Sequence, residues 1–289
     1  MTVDSAEAVP TASVPASRLA HIPLAVMSLL ACGALAGASY AGTIGMLVAV
    51  AVLQAVTVVG WVYGSALPGR LGALIMGTLA AGAADAAIAR WHADGYAPLV
   101  GVLGVAIPIM FIHQLTRGVV RTRVVESLAD ITVLIVAVTA MAGFVLLRYQ
   151  SNGDKTTLAV AGSIGVALAV SHFADAVLAA PRFDPAVDRG LPAVLLGVLA
   201  GGAIGLLVLR RLIDFTGGRG AFVGAAVGAV ACLVSIGASF AGSHSTLGGG
   251  DAPPSVAVRL RPVAAVLITV ALCAPAGYVL VNALSSQLS

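Results

Sequence analysis

The sequence predicts an all-α, polytopic membrane protein of about nine transmembrane helices. Three observations carry that prediction. Of 289 residues, 60% are hydrophobic and 9% are charged, as 15 basic and 12 acidic side chains; a soluble domain carries about 25% charged residues. Mean hydropathy is +1.05. Apolar runs close to the roughly 20 residues that span a bilayer recur along the whole length. A chain so poor in charge has too few polar groups to cover a globular surface. Disordered proteins, soluble enzymes and disulfide scaffolds are thereby excluded. Nucleic-acid binding is excluded as well, because no basic cluster interleaved with aromatics is present.

In chain order, residues 1–17 (MTVDSAEAVPTASVPAS) are small, polar and Pro-containing. They read as a flexible tail, which gives a division into a tail over 1–20 and one helical bundle over 21–289. A cleaved signal peptide is the competing reading, through Ala36 and Ala38, but the first 17 residues hold no Lys or Arg for its basic region. The apolar runs fall at about 22–40, 42–64, 71–89, 98–115, 129–147, 157–179, 191–209, 221–240 and 263–284. Only Ser-Tyr-Ala-Gly separates the first two, so they form a tight helical hairpin. The cysteines Cys32, Cys232 and Cys273 lie inside apolar runs without metal-ligand spacing and read as small buried residues. Gly-x-x-x-Gly occurs at Gly33/Gly37 and Gly224/Gly228, a spacing that serves helix packing in lipid. Most Trp and Tyr residues lie near span ends, as interfacial anchors do.

The basic residues lie between the runs. Nine (Arg18, Arg70, Arg117, Arg121, Arg123, Arg182, Arg189, Arg259 and Arg261) fall on the side of the N-terminus. Six (Arg90, Arg148, Lys155, Arg210, Arg211 and Arg219) fall on the other. Cytoplasmic loops retain Lys and Arg, so the bias predicts an inner-membrane protein with a cytoplasmic N-terminus. Two loops are chemically richer: APRFDPAVDRG, 180–190, and AGSHSTLGGGDAPPSVAVRLRP, 241–262. Nine spans place both on the cytoplasmic side.

Ionisable groups inside a bilayer are costly and mark function by default. Asp85, His113, Asp130, His172 and Asp175 are such groups. Asp85 falls near the outer face, five residues before Arg90. The other four fall near the cytoplasmic face and make a candidate polar pocket. His172 and Asp175, three apart, share a helix face. Their pairing suits a proton relay, a metal ligand set or a structural hydrogen bond, and boundary residues reaching headgroups or water are the plainer alternative. Arg182, Arg189 and Arg259 are candidate headgroup contacts, and anionic phospholipid is the partner they suit, at roughly 1 kcal/mol per basic residue near the surface; Asp184 and Asp188 beside Arg182 and Arg189 make a self-neutralising loop the plainer alternative. No phosphate loop, HExxH, CxxC or GxSxG motif is present. No metal site and no cofactor is expected.

Three stretches carry a family likeness: ESLADITVLIVAVTAMAGFVLLR (126–148), APRFDPAVDRGLPAVLLGVLAGG (180–202), and GAAVGAVACLVSIGASFAGS (224–243) followed by VAVRLRPVAAVLITVALCAPAGYVL (256–280). They resemble the phosphatidate cytidylyltransferase (CDP-diacylglycerol synthase) family, polytopic enzymes that make CDP-diacylglycerol from CTP and phosphatidic acid. The resemblance implies that 180–190 corresponds to the family's A-P-x-x-S-P-K-K-[ST]-x-E-G loop. It covers most of residues 20–285.

The catalytic pattern departs from the family. Asp184, Pro185, Ala186 and Val187 stand where the family has Ser-Pro-Lys-Lys, and Ser239-Phe240-Ala241-Gly242-Ser243 carries no base or acid where the family has S-x-x-K-R-D. Arg259 matches the family arginine, while Val258 and Arg261 replace the two aspartates that would hold magnesium. Phosphoryl-type transfer relies on metal ions to neutralise developing charge. The resemblance therefore implies a non-catalytic relative that binds lipid or a membrane-protein partner. An active lipid enzyme recruiting Asp130, Asp175 and Asp184 stays open. So does a small-solute or proton-coupled transporter using His172 and Asp175.

Overall fold

A computed structural model describes residues 20–65, 69–116, 124–178, 181–184, 187–212, 217–244 and 254–285. The expected tail at 1–19, the arginines at 117–123 and the centre of the second rich loop, 245–253, lie outside the described residues. Among the described residues, nine helical segments are long and apolar enough to cross a bilayer. The chain is an all-α polytopic membrane protein, as its composition predicts.

The elements are α1 (His21–Tyr40), α2 (Gly42–Gly64), α3 (Arg70–Trp91), a 3-10 turn at His92–Asp94, α4 (Ala97–Thr116), α5 (Val124–Met141), α6 (Gly143–Tyr149) and α7 (Gly153–Val177). Two short strands follow, β1 (Arg182–Asp184) and β2 (Val187–Gly190). The chain ends in α8 (Leu191–Leu212), α9 (Gly217–His244) and α10 (Pro254–Ser285). Several helices run past the apolar stretch that announced them. Backbone hydrogen bonding continues into the headgroup region, where hydropathy no longer marks it.

The α1/α2 hairpin is real and turns on one residue, Ala41, with Gly42 at φ 81°. That left-handed backbone is open to Gly without penalty. The partners confirm the reversal. His21 at the start of α1 lies beside His172 near the end of α7, whereas Ser39 at its other end accepts from Arg148 at 2.9 Å. At the end of α2, Gly64 sits so close to the α10 backbone at Arg261 that a Cβ would lie 2.8 Å from its nitrogen.

α5–α6 and α7 are the central helices, buried over most of their length, and α4 is the most peripheral. The core joins Leu35 and Met46 to Phe144, Leu146, Ile164 and Cys273. A second cluster joins Val58, Val62, Met110, Ile131 and Leu134 across α2, α3, α4 and α5. All three cysteines are free and buried. The outer surface is apolar: Ile44 is 78% exposed and Leu71 72%. In water such surface would drive aggregation; in lipid it is the natural outer face.

The closest helix contact is α8 on α9. A Cβ on Gly205 would lie 2.7 Å from the Gly224 Cα, and one on Gly201 would lie 2.8 Å from the Gly224 carbonyl. Glycines spaced by four on both helices let the backbones meet, and close packing is the main attraction between helices in lipid. The Gly33/Gly37 pair is different. Nothing lies within 4 Å of a Cβ built at either position, so among the described residues these glycines pack against no neighbour.

Gly224→Ala is therefore expected to cost about 1–3 kcal/mol by overpacking, read as a lower thermal midpoint in detergent. Gly33→Ala should leave the midpoint unchanged or raise it slightly through helix propensity. Equal midpoints for the two variants would refute the backbone contact between α8 and α9.

Candidate functional site

A buried polar cluster forms where α1, α7 and β2 meet at the N-terminal face. Its construction starts from a short connection. Between α7 and α8 the chain has little length to spare, and Pro181 and Pro185 disfavour helix there. It folds instead into an antiparallel pair, with Arg182 opposite Gly190 and Asp184 opposite Val187. The pair directs Arg189 inward, and Arg189 is 1% exposed.

Both terminal nitrogens of that guanidinium are engaged, while its Nε is buried without a hydrogen-bond partner among the described residues. Nη1 lies 2.8 Å from Asp175 Oδ2 as an ion pair and 2.9 Å from His172 Nδ1. Nη2 donates to Ser171 Oγ at 2.9 Å. The other carboxylate oxygen, Asp175 Oδ1, accepts from the Gly190 backbone N–H at 2.9 Å. Ser171, His172 and Asp175 share the last two turns of α7, so one helix face presents all three to a single arginine. Burial pushes the Arg189 guanidinium down from its ordinary value and the Asp175 carboxylate pulls it back up; an arginine so placed keeps its charge.

The geometry also fixes the histidines. A guanidinium only donates hydrogen bonds, so His172 Nδ1 is the acceptor and the ring carries its proton on Nε2. His21 Nδ1 lies 3.3 Å from the same nitrogen and must donate for that contact to be a hydrogen bond. His172 is thus a neutral ring held between an arginine and a second imidazole.

The four residues of the expected polar pocket separate into three places. His172 and Asp175 come together in this cluster. His113 lies on α4, where its ring fills the space left by the missing side chain of Gly72 at the start of α3. Asp130 lies on α5; its backbone carbonyl accepts from Trp61 Nε1 at 2.9 Å, and its charge acts on Arg261 of α10. Of the three arginines expected to meet headgroups, Arg182 and Arg259 are exposed. Arg189 is not, because a carboxylate buried in α7 draws it inward. Among the described residues no group of three His, Cys, Asp or Glu side chains converges at metal-binding distance.

Two further features add to these, and in the first only Asp85 was a sequence candidate. Gln54 Nε2 donates to Asp85 Oδ1 at 3.1 Å and to the Val138 carbonyl at 2.9 Å. A lone glutamine inside the most apolar part of α2 was the available signal. Asp85, placed near the outer face by its distance from Arg90, lies deeper than expected, because its span continues to Asp94. The second feature is a groove of about 930 Å³ between α3 and α4, lined by Leu79, Ala83, Val105 and Ile109, with Trp91 and Asp94 at its outer end. From Met76 to Asp94 it runs about 27 Å at 1.5 Å per residue, close to the thickness of a bilayer core.

Comparisons of the chain with protein-family models, with curated proteins and with solved structures return no match.

Removing one partner of a buried ion pair leaves the other uncompensated. Arg189→Met is expected to destabilise the protein by about 3–5 kcal/mol. Adding Asp175→Asn to that variant should restore most of the loss, measured by thermal unfolding in detergent. A double variant no more stable than Arg189→Met alone would mean that the two groups do not compensate one another.

Proposed function

We propose that the chain is a non-catalytic, cytidylyltransferase-like protein of the inner membrane, with a cytoplasmic N-terminus, that binds membrane lipid. The observation that carries this reading is the fate of two carboxylates at the N-terminal face. Asp175 is paired with Arg189, and Asp130 lies under the influence of Arg261. A metal-dependent transfer needs carboxylates free to hold a divalent cation. Here a guanidinium supplies the positive charge from within the chain, and a guanidinium cannot activate a phosphate as a metal does. In the resemblance, Arg261 stands where the family has an aspartate, so the position that would hold a metal ligand carries a positive charge instead.

Lipid is the ligand the groove suits. Its lining is apolar over nearly the thickness of a bilayer core, as an acyl chain requires, and Trp91 stands at its outer end, the depth at which tryptophan anchors to headgroups. At the opposite face the exposed Arg182 and Arg259 suit anionic headgroups. A second reading, a proton-coupled transporter, is favoured by one observation, the depth of Asp85.

Purified protein given CTP, magnesium and phosphatidic acid should form no CDP-diacylglycerol. Native mass spectrometry should find phospholipid retained, and retained less by Ala83→Phe, which fills the groove. Turnover that disappears on Asp175→Asn would overturn the non-catalytic reading. Equal lipid retention by wild type and Ala83→Phe would remove the groove as the lipid site.

A further inference from the structure

Asp85 is an ionisable group of the bundle that the lipid-binding reading leaves unused. Three helices agree on its depth. At 1.5 Å rise per residue, Asp85 lies about 5 Å from the midpoint of the Arg70–Asp94 span, Gln54 about 2 Å from that of Gly42–Gly64, and Val138 about 2 Å from that of Val124–Tyr149. The Gln54 amide, which touches both of the others, therefore joins three residues that lie near the middle of their spans. Asp85 is half-buried on the flank of α3 that faces α2, on the side of that helix opposite the lipid-sized groove.

The surroundings decide what a carboxyl can do there. The group facing it from α2 is the Gln54 amide, which is neutral. The Val138 carbonyl of α5, also neutral, is bound to the same amide. Among the described residues no Arg, Lys or His pairs with Asp85, in contrast to Asp175 with Arg189. Ionising an isolated carboxylate at this depth is costly, and one amide hydrogen bond to one oxygen does not offset it. Asp175 has an arginine as its partner, and among the described residues Asp85 has none.

We infer that Asp85 is a proton-binding site at the centre of the bilayer, holding its proton as a neutral carboxylic acid beside Gln54. The ligand is the proton itself. Gln54 gives the site a mechanical connection as well. Val138 is in the last turn of α5, where helix carbonyls run out of partners, just before the chain breaks at Ala142 between α5 and α6. One amide therefore ties the acid to the interruption in the central helix. This inference does not rest on the lipid-binding reading; its failure would remove the transporter reading and leave the lipid site untouched.

The test is carbodiimide labelling of the full chain in proteoliposomes at neutral pH. Dicyclohexylcarbodiimide partitions into lipid and adds to a protonated carboxyl, giving a stable N-acylurea with no group lost. The expected result is a single adduct on the peptide containing Asp85, absent in Asp85→Asn, with no labelling by a water-soluble carbodiimide plus amine. An Asp85 left unmodified by the lipid-soluble reagent, or modified by the water-soluble one, would overturn the inference. Infrared spectroscopy gives a reading independent of reagent access. A carbonyl band of a protonated carboxylic acid should be present in the wild type and missing in Asp85→Asn, whose amide preserves an acceptor for Gln54. Superimposable spectra in that region would overturn it equally.

Discussion

An arginine buried at the edge of a bilayer must find its compensation within the chain, and Arg189 shows how this protein supplies it. Its guanidinium is 1% exposed, beyond the reach of bulk water and of headgroups. Asp175 supplies the charge, His172 and Ser171 take two of the remaining donors, and the Gly190 backbone satisfies the carboxylate's second oxygen. The pair alone would be weak evidence of stability, because desolvation of two ions rivals their attraction. The surrounding hydrogen bonds change that balance. They also locate the fold, since the connection between α7 and α8 has to close as a strand pair for Arg189 to reach the last turns of α7.

The same logic orders the rest of the interior. Several polar groups within the spans are matched inside the chain, although the hydroxyls of Thr139 and Thr157 are buried without a partner among the described residues. Gln54 uses both amide hydrogens on Asp85 and on a carbonyl at the end of α5. Ser163 of α7 donates to the Gly201 carbonyl of α8 at 3.1 Å, and Ser28 donates back to the Leu24 carbonyl of its own helix. Glycine does for packing what these groups do for polarity. At Gly201, Gly205 and Gly224 the absence of a side chain lets α8 and α9 touch backbone to backbone. Nearly every helix can then face lipid on one side with no polar penalty.

The helical class and the number of spans were legible because hydropathy reports the bilayer directly. The α1/α2 hairpin was legible for a related reason: a lone turn without charge cannot stop midway in a membrane. The site was only half legible. His172 and Asp175 were linked by their spacing on one helix, and helix spacing reaches no further than that helix. Arg189 was read as a surface contact because the loop that carries it is polar. Its inward course depends on a strand pair that leaves no periodic trace over so few residues. His113 and Asp130 shared a face of the membrane with His172, yet depth fixes only one of three coordinates, and different helices hold them apart. Gln54 was passed over because an uncharged amide barely alters hydropathy. Two glycine pairs of identical spacing met opposite fates, since the spacing says that helices can approach and not that a partner is present.

The central claim is that Arg189 is compensated from within the chain and does not serve as a contact for lipid headgroups. Magic-angle-spinning NMR in bilayers, with 13C in aspartate and 15N in arginine, measures this most directly. The account predicts a strong dipolar coupling between the Asp175 carboxyl carbon and the Arg189 Nη nitrogens, unchanged when anionic phospholipid is added. A negligible coupling, with the Arg189 guanidinium instead dipolar-coupled to lipid phosphorus, would contradict it.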